Sequence, residues 1–278
     1  MPRARITEML RKVFCTLFAA AMLVSAVSCS SGGNVGGADS AYIGTDTFTE
    51  TRTETQTETE EETLFFTEEK MNGKNVYRVA RFAKKADIDW KKVSAAPIDK
   101  YKWVECCEYK AYAQLAFAED FGFVCRMTCE ETNPVATFTK MDDAVCLDSC
   151  MEFFVIFDGD KYLNLEANSI GTKCMGFGAR RENRKPVKRV LPEGFPAIPE
   201  VGENEWTLTY ELSMEDIKKF YPDVDFATFA AGYEFSGNFY KTGGKDITGN
   251  EHYGMWNEVM TENPDFHQPP YFGTFIME

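Results

Sequence analysis

"MEFFVIFDGDKYLNLEAN", residues 151–168, is the stretch that decides the fold. Residues 151–157 are apolar at nearly every position, the composition of a strand covered on both faces, with Glu152 as the exception. Residues 162–168 alternate instead. Leu163, Leu165 and Ala167 share one face, and Tyr162, Asn164, Glu166 and Asn168 share the other. Gly159 lies in the DGDK between the two runs, so they read as an antiparallel hairpin.

The same alternation recurs on both sides of this hairpin. Phe121, Phe123, Cys125, Met127 and Cys129 form one apolar row, and Trp206, Leu208, Tyr210 and Leu212 form another. Residues 234–240 (EFSGNFY) turn Phe235, Gly237 and Phe239 inward and Glu234, Ser236, Asn238 and Tyr240 outward. Several short strands at this spacing predict an all-β chain folded as an antiparallel β-sandwich. One helical piece is expected, residues 214–220, with Ser213 as N-cap and Pro222 beyond its end.

The start of the chain reads differently. Arg3, Arg5, Arg11 and Lys12 precede an apolar run at 13–27 that ends in small residues, the pattern of a secretory signal peptide and too short to span a membrane. The expectation is an exported protein. Small residues before Cys29 resemble a bacterial lipobox, in which that cysteine carries lipid and tethers the chain to a membrane; if Cys29 stays unmodified the protein is secreted. Residues 32–63 are rich in Gly and Ser and then alternate Thr with charge, too poor in apolar side chains to offset the entropy of ordering. The expected organisation is a signal peptide at 1–28, a disordered linker at 29–75 and a β-sandwich domain at 76–278.

Net charge is −14 over 278 residues, which opposes binding to phosphate backbones and excludes nucleic acid as a partner. The one basic cluster, Arg180, Arg181, Arg184, Lys185, Lys188 and Arg189, is interleaved with Asn, Pro and Gly and reads as a solvated loop. Nine cysteines occur, and no histidine falls at zinc-ligand spacing from any of them. Most read as small buried hydrophobes.

Tyr, Asn and Glu side chains on one sheet face suit a neutral polyhydroxylated ligand, because amides donate and accept while aromatic faces cover C–H groups. A wetted outer face fits the same pattern. Glu152 in its apolar strand needs either a hydrogen-bond partner, for which Arg126 is a candidate, or a pocket. His267, between Phe266 and Gln268-Pro269-Pro270, belongs on a rigid rim loop, where it either touches ligand or locks the loop.

The blocks LDSCMEFF (147–154), YLNLEANSIG (162–171), NFYKTGG (238–244), EHYGMWNEV (251–259) and PDFHQPPYFG (264–273) together resemble the family 9-like carbohydrate-binding modules of bacteria. The resemblance implies a non-catalytic sandwich of immunoglobulin or jelly-roll type that binds plant-type polysaccharide such as xylan or glucan. It implies sugar contacts for Glu152 and Asn263 and a stacking role for Phe266, with Glu166, Asn168 and His267 beside them. Two positions depart from the family. Glu166 stands where relatives carry a sugar-binding Arg, and Cys146 where they carry a second stacking Trp.

Two other classes of function are weighed against this one. Glu152 and Glu166 are also the carboxylate pair that a glycoside hydrolase would need. Extracellular haem domains use a related sandwich with Met and His ligands, for which His252 and His267 are the available histidines. No cofactor is expected; a structural calcium would draw on Asp142-Asp143 or on Asp158 with Asp160.

Overall fold

A computed structural model describes residues 64–105, 107–244 and 251–278. The signal peptide, Cys29 and nearly all of the linker lie outside the described residues. Among the described residues the strands are β1 (Lys70–Met71), β2 (Lys74–Phe82), β3 (Ala96–Pro97), β4 (Lys100–Tyr101), β5 (Ala111–Ala118), β6 (Gly122–Cys129) and β7 (Cys150–Ile156). They continue with β8 (Tyr162–Asn168), β9 (Lys173–Gly178), β10 (Lys185–Pro186), β11 (Ala197–Val201), β12 (Trp206–Ser213), β13 (Glu234–Gly243), β14 (His252–Met255) and β15 (Gly273–Met277). One helix, α1 (Met214–Phe220), follows β12, and the Ser213 hydroxyl caps it by accepting from the Asp216 N–H.

The order β10-β9-β8-β7-β13-β15-β2-β5-β6-β12-β11 folds into two layers. β2 belongs to both. Its first half, Val76 to Val79, pairs with β15, and its end, Ala80 to Phe82, pairs with β5. Both of these pairings are parallel, so the sandwich is mixed rather than wholly antiparallel as the alternation alone implied. The hairpin read at 151–168 is present, with Glu152 opposite Glu166 and Phe153 opposite Leu165.

Between the layers lies the main core. Met151, Phe153 and Val155 of β7, Leu163 and Leu165 of β8 and Phe239 of β13 face Leu115, Phe123, Met127, Trp206, Leu208 and Tyr210. The rows predicted inward are the rows found there, except for Phe121, which precedes β6, is only partly buried and lies beneath the Lys85 ammonium. Cys125 and Cys129 share it, as their spacing implied. Burial at roughly 25 cal/mol per Å² of apolar surface makes this layer the principal source of stability.

The second face of the β7–β8–β13 sheet is not a wetted surface. Phe154, Tyr162, Tyr240, Met255, Val259, Phe266 and Phe272 form a second apolar cluster there, because irregular chain from 256 to 272 lies across it. Asn164, Asn168, Asn238 and Tyr240 on that face have no exposed area. Strand pairing also extends before residue 76, through the β1–β2 hairpin and a bridge from Phe66 to Ala95. No helix among the described residues is long and apolar enough to cross a membrane.

Candidate functional site

Register brings Tyr240, Glu152, Glu166 and Cys174 into one row across β13, β7, β8 and β9 on the covered face. Directly opposed cross-strand residues have Cβ atoms about 4.5–5.5 Å apart, so the two glutamates are neighbours. The cover is incomplete above them. A cavity of about 440 Å³ remains, floored by Glu152, Glu166 and Thr242 and walled by the 263–267 segment, Tyr253, Arg181 and the turn at Cys146. That size falls within the range of roughly 300–1,000 Å³ usual for small-molecule sites.

Five of the six sequence-predicted side chains, Glu152, Glu166, Asn263, Phe266 and His267, line this one cavity. Asn168 does not. Its amide donates to the Phe138 carbonyl and to Asp148 Oδ2, and its Oδ1 accepts from the Ile170 and Thr172 N–H groups, so it shapes the turn after β8. Asp148 in turn accepts from Thr137 and Phe138, tying that turn to the 137–138 segment.

Glu152 is 3% exposed and accepts the Thr242 hydroxyl at 2.9 Å. Arg126, its candidate partner, faces the Trp90 ring on the other layer instead. Glu166 accepts from Asn164 Nδ2 at 2.6 Å and lies 4.0 Å from Arg184 Nη1. Arg184 also donates to Asn164 Oδ1, which makes Asn164 a relay between the guanidinium and the acid. Burial, then the charge of Glu166, raises Glu152 well above the usual carboxylate range. Burial raises Glu166 too, against the pull of Arg184 and Arg181. The pair therefore holds a proton at pH values where separate glutamates are ionised.

The basic cluster is more than a solvated loop. Arg181 enters the cavity wall and bonds Asp265 at 3.2 Å, while Arg184 is largely buried against β8. In position, Arg184 supplies next to Glu166 the charge that the strand itself lacks. A charge-rich loop in a sequence carries no signal of which residues fold back, and this pair was missed for that reason. Thr242 was legible as the next residue of the Asn238–Tyr240 row. Tyr253 sits in a quoted block, EHYGMWNEV, but its orientation required the β13–β14 pairing.

Phe266 is 6% exposed and stacks on Tyr240, with ring centroids 4.0 Å apart and planes 11° apart. One face of the ring is thus covered, and Tyr253 meets it edge-on at 6.1 Å. The aromatic lining is a corner rather than two parallel plates. Cys146, at the position of the missing second plate, keeps exposed surface, while burial of its thiol and the nearby glutamates push its pKa up to about 12.

His267 Nδ1 lies 2.9 Å from the Tyr162 hydroxyl, and the His267 N–H donates to Asp265 Oδ1. Burial, with Arg184 and Arg181 nearby, lowers its pKa to about 2, so the ring is neutral. The donor in the Tyr162–His267 bond follows the imidazole tautomer, and either tautomer keeps the bond. His267 thereby locks the loop while its ring remains part of the cavity wall. The other histidine, His252, is 2% exposed, and its Nε2 meets Lys241 Nζ at 2.8 Å.

Asp142 is held by Lys188 at 2.6 Å, and Asp143 accepts from the Lys140 N–H. Among the described residues no group of three or more His, Cys, Asp or Glu side chains is placed to hold a metal ion.

Residues 83–277 match the sequence profile of carbohydrate-binding family 9. A candidate carbohydrate-binding protein from Bacteroides uniformis ATCC 8492 shares the fold with TM-score 0.61 and 23% identity, over 73% of this chain and 99% of its own. A family 9 carbohydrate-binding module from Caldicellulosiruptor kristjanssonii, solved with cellotriose, aligns with TM-score 0.51 and 10% identity, over 73% of this chain and 94% of its own. The same module solved with glucose gives the same score and identity over 96% of its length. No curated relative matches the sequence.

Proposed function

Because the chain belongs to carbohydrate-binding family 9, a family of non-catalytic modules, we propose that the cavity over Glu152 and Glu166 is where it holds its sugar. One observation carries this reading: Glu152 meets Asn263 and Phe266, more than a hundred positions further along the chain, around a single cavity. Vicinal hydroxyls find acceptors in the two carboxyl groups and both a donor and an acceptor in the Asn263 amide. Phe266 and Tyr253 offer apolar edges to the C–H side of a pyranose ring.

The ligand is an oligosaccharide of gluco- or xylo-configuration, released unchanged. The structural likeness to a module crystallised with cellotriose and with glucose supports the gluco- series. A corner of aromatic edges grips less tightly than two parallel plates, so affinity is modest. The N-terminal signal pattern and Cys29 support export and display at the cell surface on a lipid anchor, with the Thr/Glu-rich segment as spacer.

Calorimetric titration with cello- and xylo-oligosaccharides tests the site. Asn263 is exposed at the rim, so Asn263→Ala leaves the fold intact. It is expected to weaken binding by roughly threefold to tenfold, the worth of one hydrogen bond. No heat of binding with any member of either series or with their amino derivatives, from a protein shown to be folded, would falsify the reading.

A further inference from the structure

Three carboxylates and one guanidinium line this cavity, a second guanidinium, Arg184, lies beside Glu166, and their pairing leaves one acid over. Arg181 is taken by Asp265 at 3.2 Å. Arg184 serves Glu166, at 4.0 Å directly and through Asn164. Glu152 receives a single hydroxyl, from Thr242, on Oε1. Its remaining exposure, 3%, belongs to the cavity floor.

Arg181 and Arg184 act on Glu152 only from a distance, each already paired with another acid, and the groups in contact with Glu152 carry no positive charge. Tyr240 and Glu166 flank it on the neighbouring strands, and Cys146 stands above it. A carboxylate at this depth without a cation is unfavourable and must keep a proton or receive a positive charge from outside. A neutral sugar brings hydroxyls alone. An amino sugar brings a compact ammonium with three donors.

We propose that the cavity selects a sugar bearing a primary ammonium group, seated against the second oxygen of Glu152. The proposal rests on the reading of the cavity as the sugar site and names the class of sugar it takes. On binding, the ammonium keeps its proton and the Glu152–Glu166 pair gives up the one it shares. One O–H bond breaks, the proton passes to solvent, and no other covalent bond changes. N-acetylation removes the charge and with it the advantage.

The test is calorimetry of the full chain at about pH 5.5, where the ligand amine is charged and the carboxyl pair still holds its proton, with three ligands of equal length: glucosamine oligosaccharides, their N-acetylated forms and cello-oligosaccharides. Each is run in two buffers of different ionisation enthalpy, so that proton release is read directly. The glucosamine ligand is expected to bind about tenfold tighter than the cello-ligand, the margin of a charge-assisted over a neutral hydrogen bond, and to release a proton that the neutral ligands do not. In Glu152→Gln the ratio of the two affinities falls to about one. A glucosamine ligand that binds no better than the cello-ligand overturns the proposal and leaves the sugar site standing. So does an advantage that survives Glu152→Gln. If that variant fails to fold, the wild-type protein decides: tighter amine binding without proton release overturns the assignment to this pair. Silence from all three ligands removes the sugar site itself.

Discussion

Glu166 and His267 line the same cavity and pull stability in opposite directions with pH. Burial raises Glu166 and Glu152 above their ordinary values, so between about pH 4.5 and the raised pKa the folded chain holds protons that the unfolded chain has lost. Stability therefore falls as pH rises through that window. His267 is lowered from 6.5 to about 2, so below 6.5 the unfolded chain binds a proton that the folded chain refuses, and stability falls as pH drops. Urea unfolding across pH 4.5–8.5 separates the two. Glu166→Gln is expected to raise stability at pH 8 by roughly 1–3 kcal/mol and flatten the alkaline limb. His267→Asn is expected to remove the slope that opposes the glutamates below about pH 6.5, so that stability at pH 5, against its own neutral-pH value, is up to about 2 kcal/mol higher than in the wild type. Unchanged slopes in both variants would remove the assigned titrations. Glu152 was legible as an anomaly because an acid in an apolar strand breaks the pattern of its neighbours. Arg184 was not, since nothing in RENRKP distinguishes the residue that folds inward from those left in solvent.

At the scale of elements, the sandwich was readable wherever one face is apolar, because alternation reports burial on a single side. It failed on the second face of β7, β8 and β13. The polar residues there are as buried as the apolar ones, and what covers them is irregular chain around 256–272 with no periodicity of its own. The parallel pairings of β2 were likewise illegible, since pairing direction leaves no mark on the alternation of one strand. Close packing on the opposite, inward face of the same strand shows at Gly237 in β13. A Cβ there would overlap the Phe154 carbonyl oxygen and the Phe275 ring, so the strand spacing depends on its absence. Gly237→Ala is expected to lose about 1–3 kcal/mol as an overpacked site, and to loosen the cavity floor carried by β7 and β13. The measurement is a urea midpoint with unchanged slope, and a variant as stable as wild type would show that the strands part at little cost.

Across the whole molecule, β2 joins the two layers and Tyr77 fastens them. Its hydroxyl donates to the Ser94 carbonyl at 2.5 Å and accepts from the Leu115 N–H at 2.8 Å, so the described domain coheres as one unit. No helix among the described residues is long and apolar enough to cross a membrane, so the proposed attachment rests on the N-terminal segment alone. A lipid at Cys29 would hold the chain through acyl groups at about 0.8 kcal/mol per buried CH₂, strong enough for two or more chains and marginal for one. The cavity residues all lie beyond 145, so the tether and the site are separate in sequence and independently alterable. Cys29→Ser, expressed in a bacterial host that processes lipoproteins, is expected to move the protein from the membrane fraction to the soluble fraction with its oligosaccharide affinity unchanged. Radiolabelled palmitate is expected in the wild type and absent from the variant. Wild-type protein that is already soluble and unlabelled would make this a secreted module, since residues 32–63 carry only scattered apolar side chains, too few to hold it at a membrane.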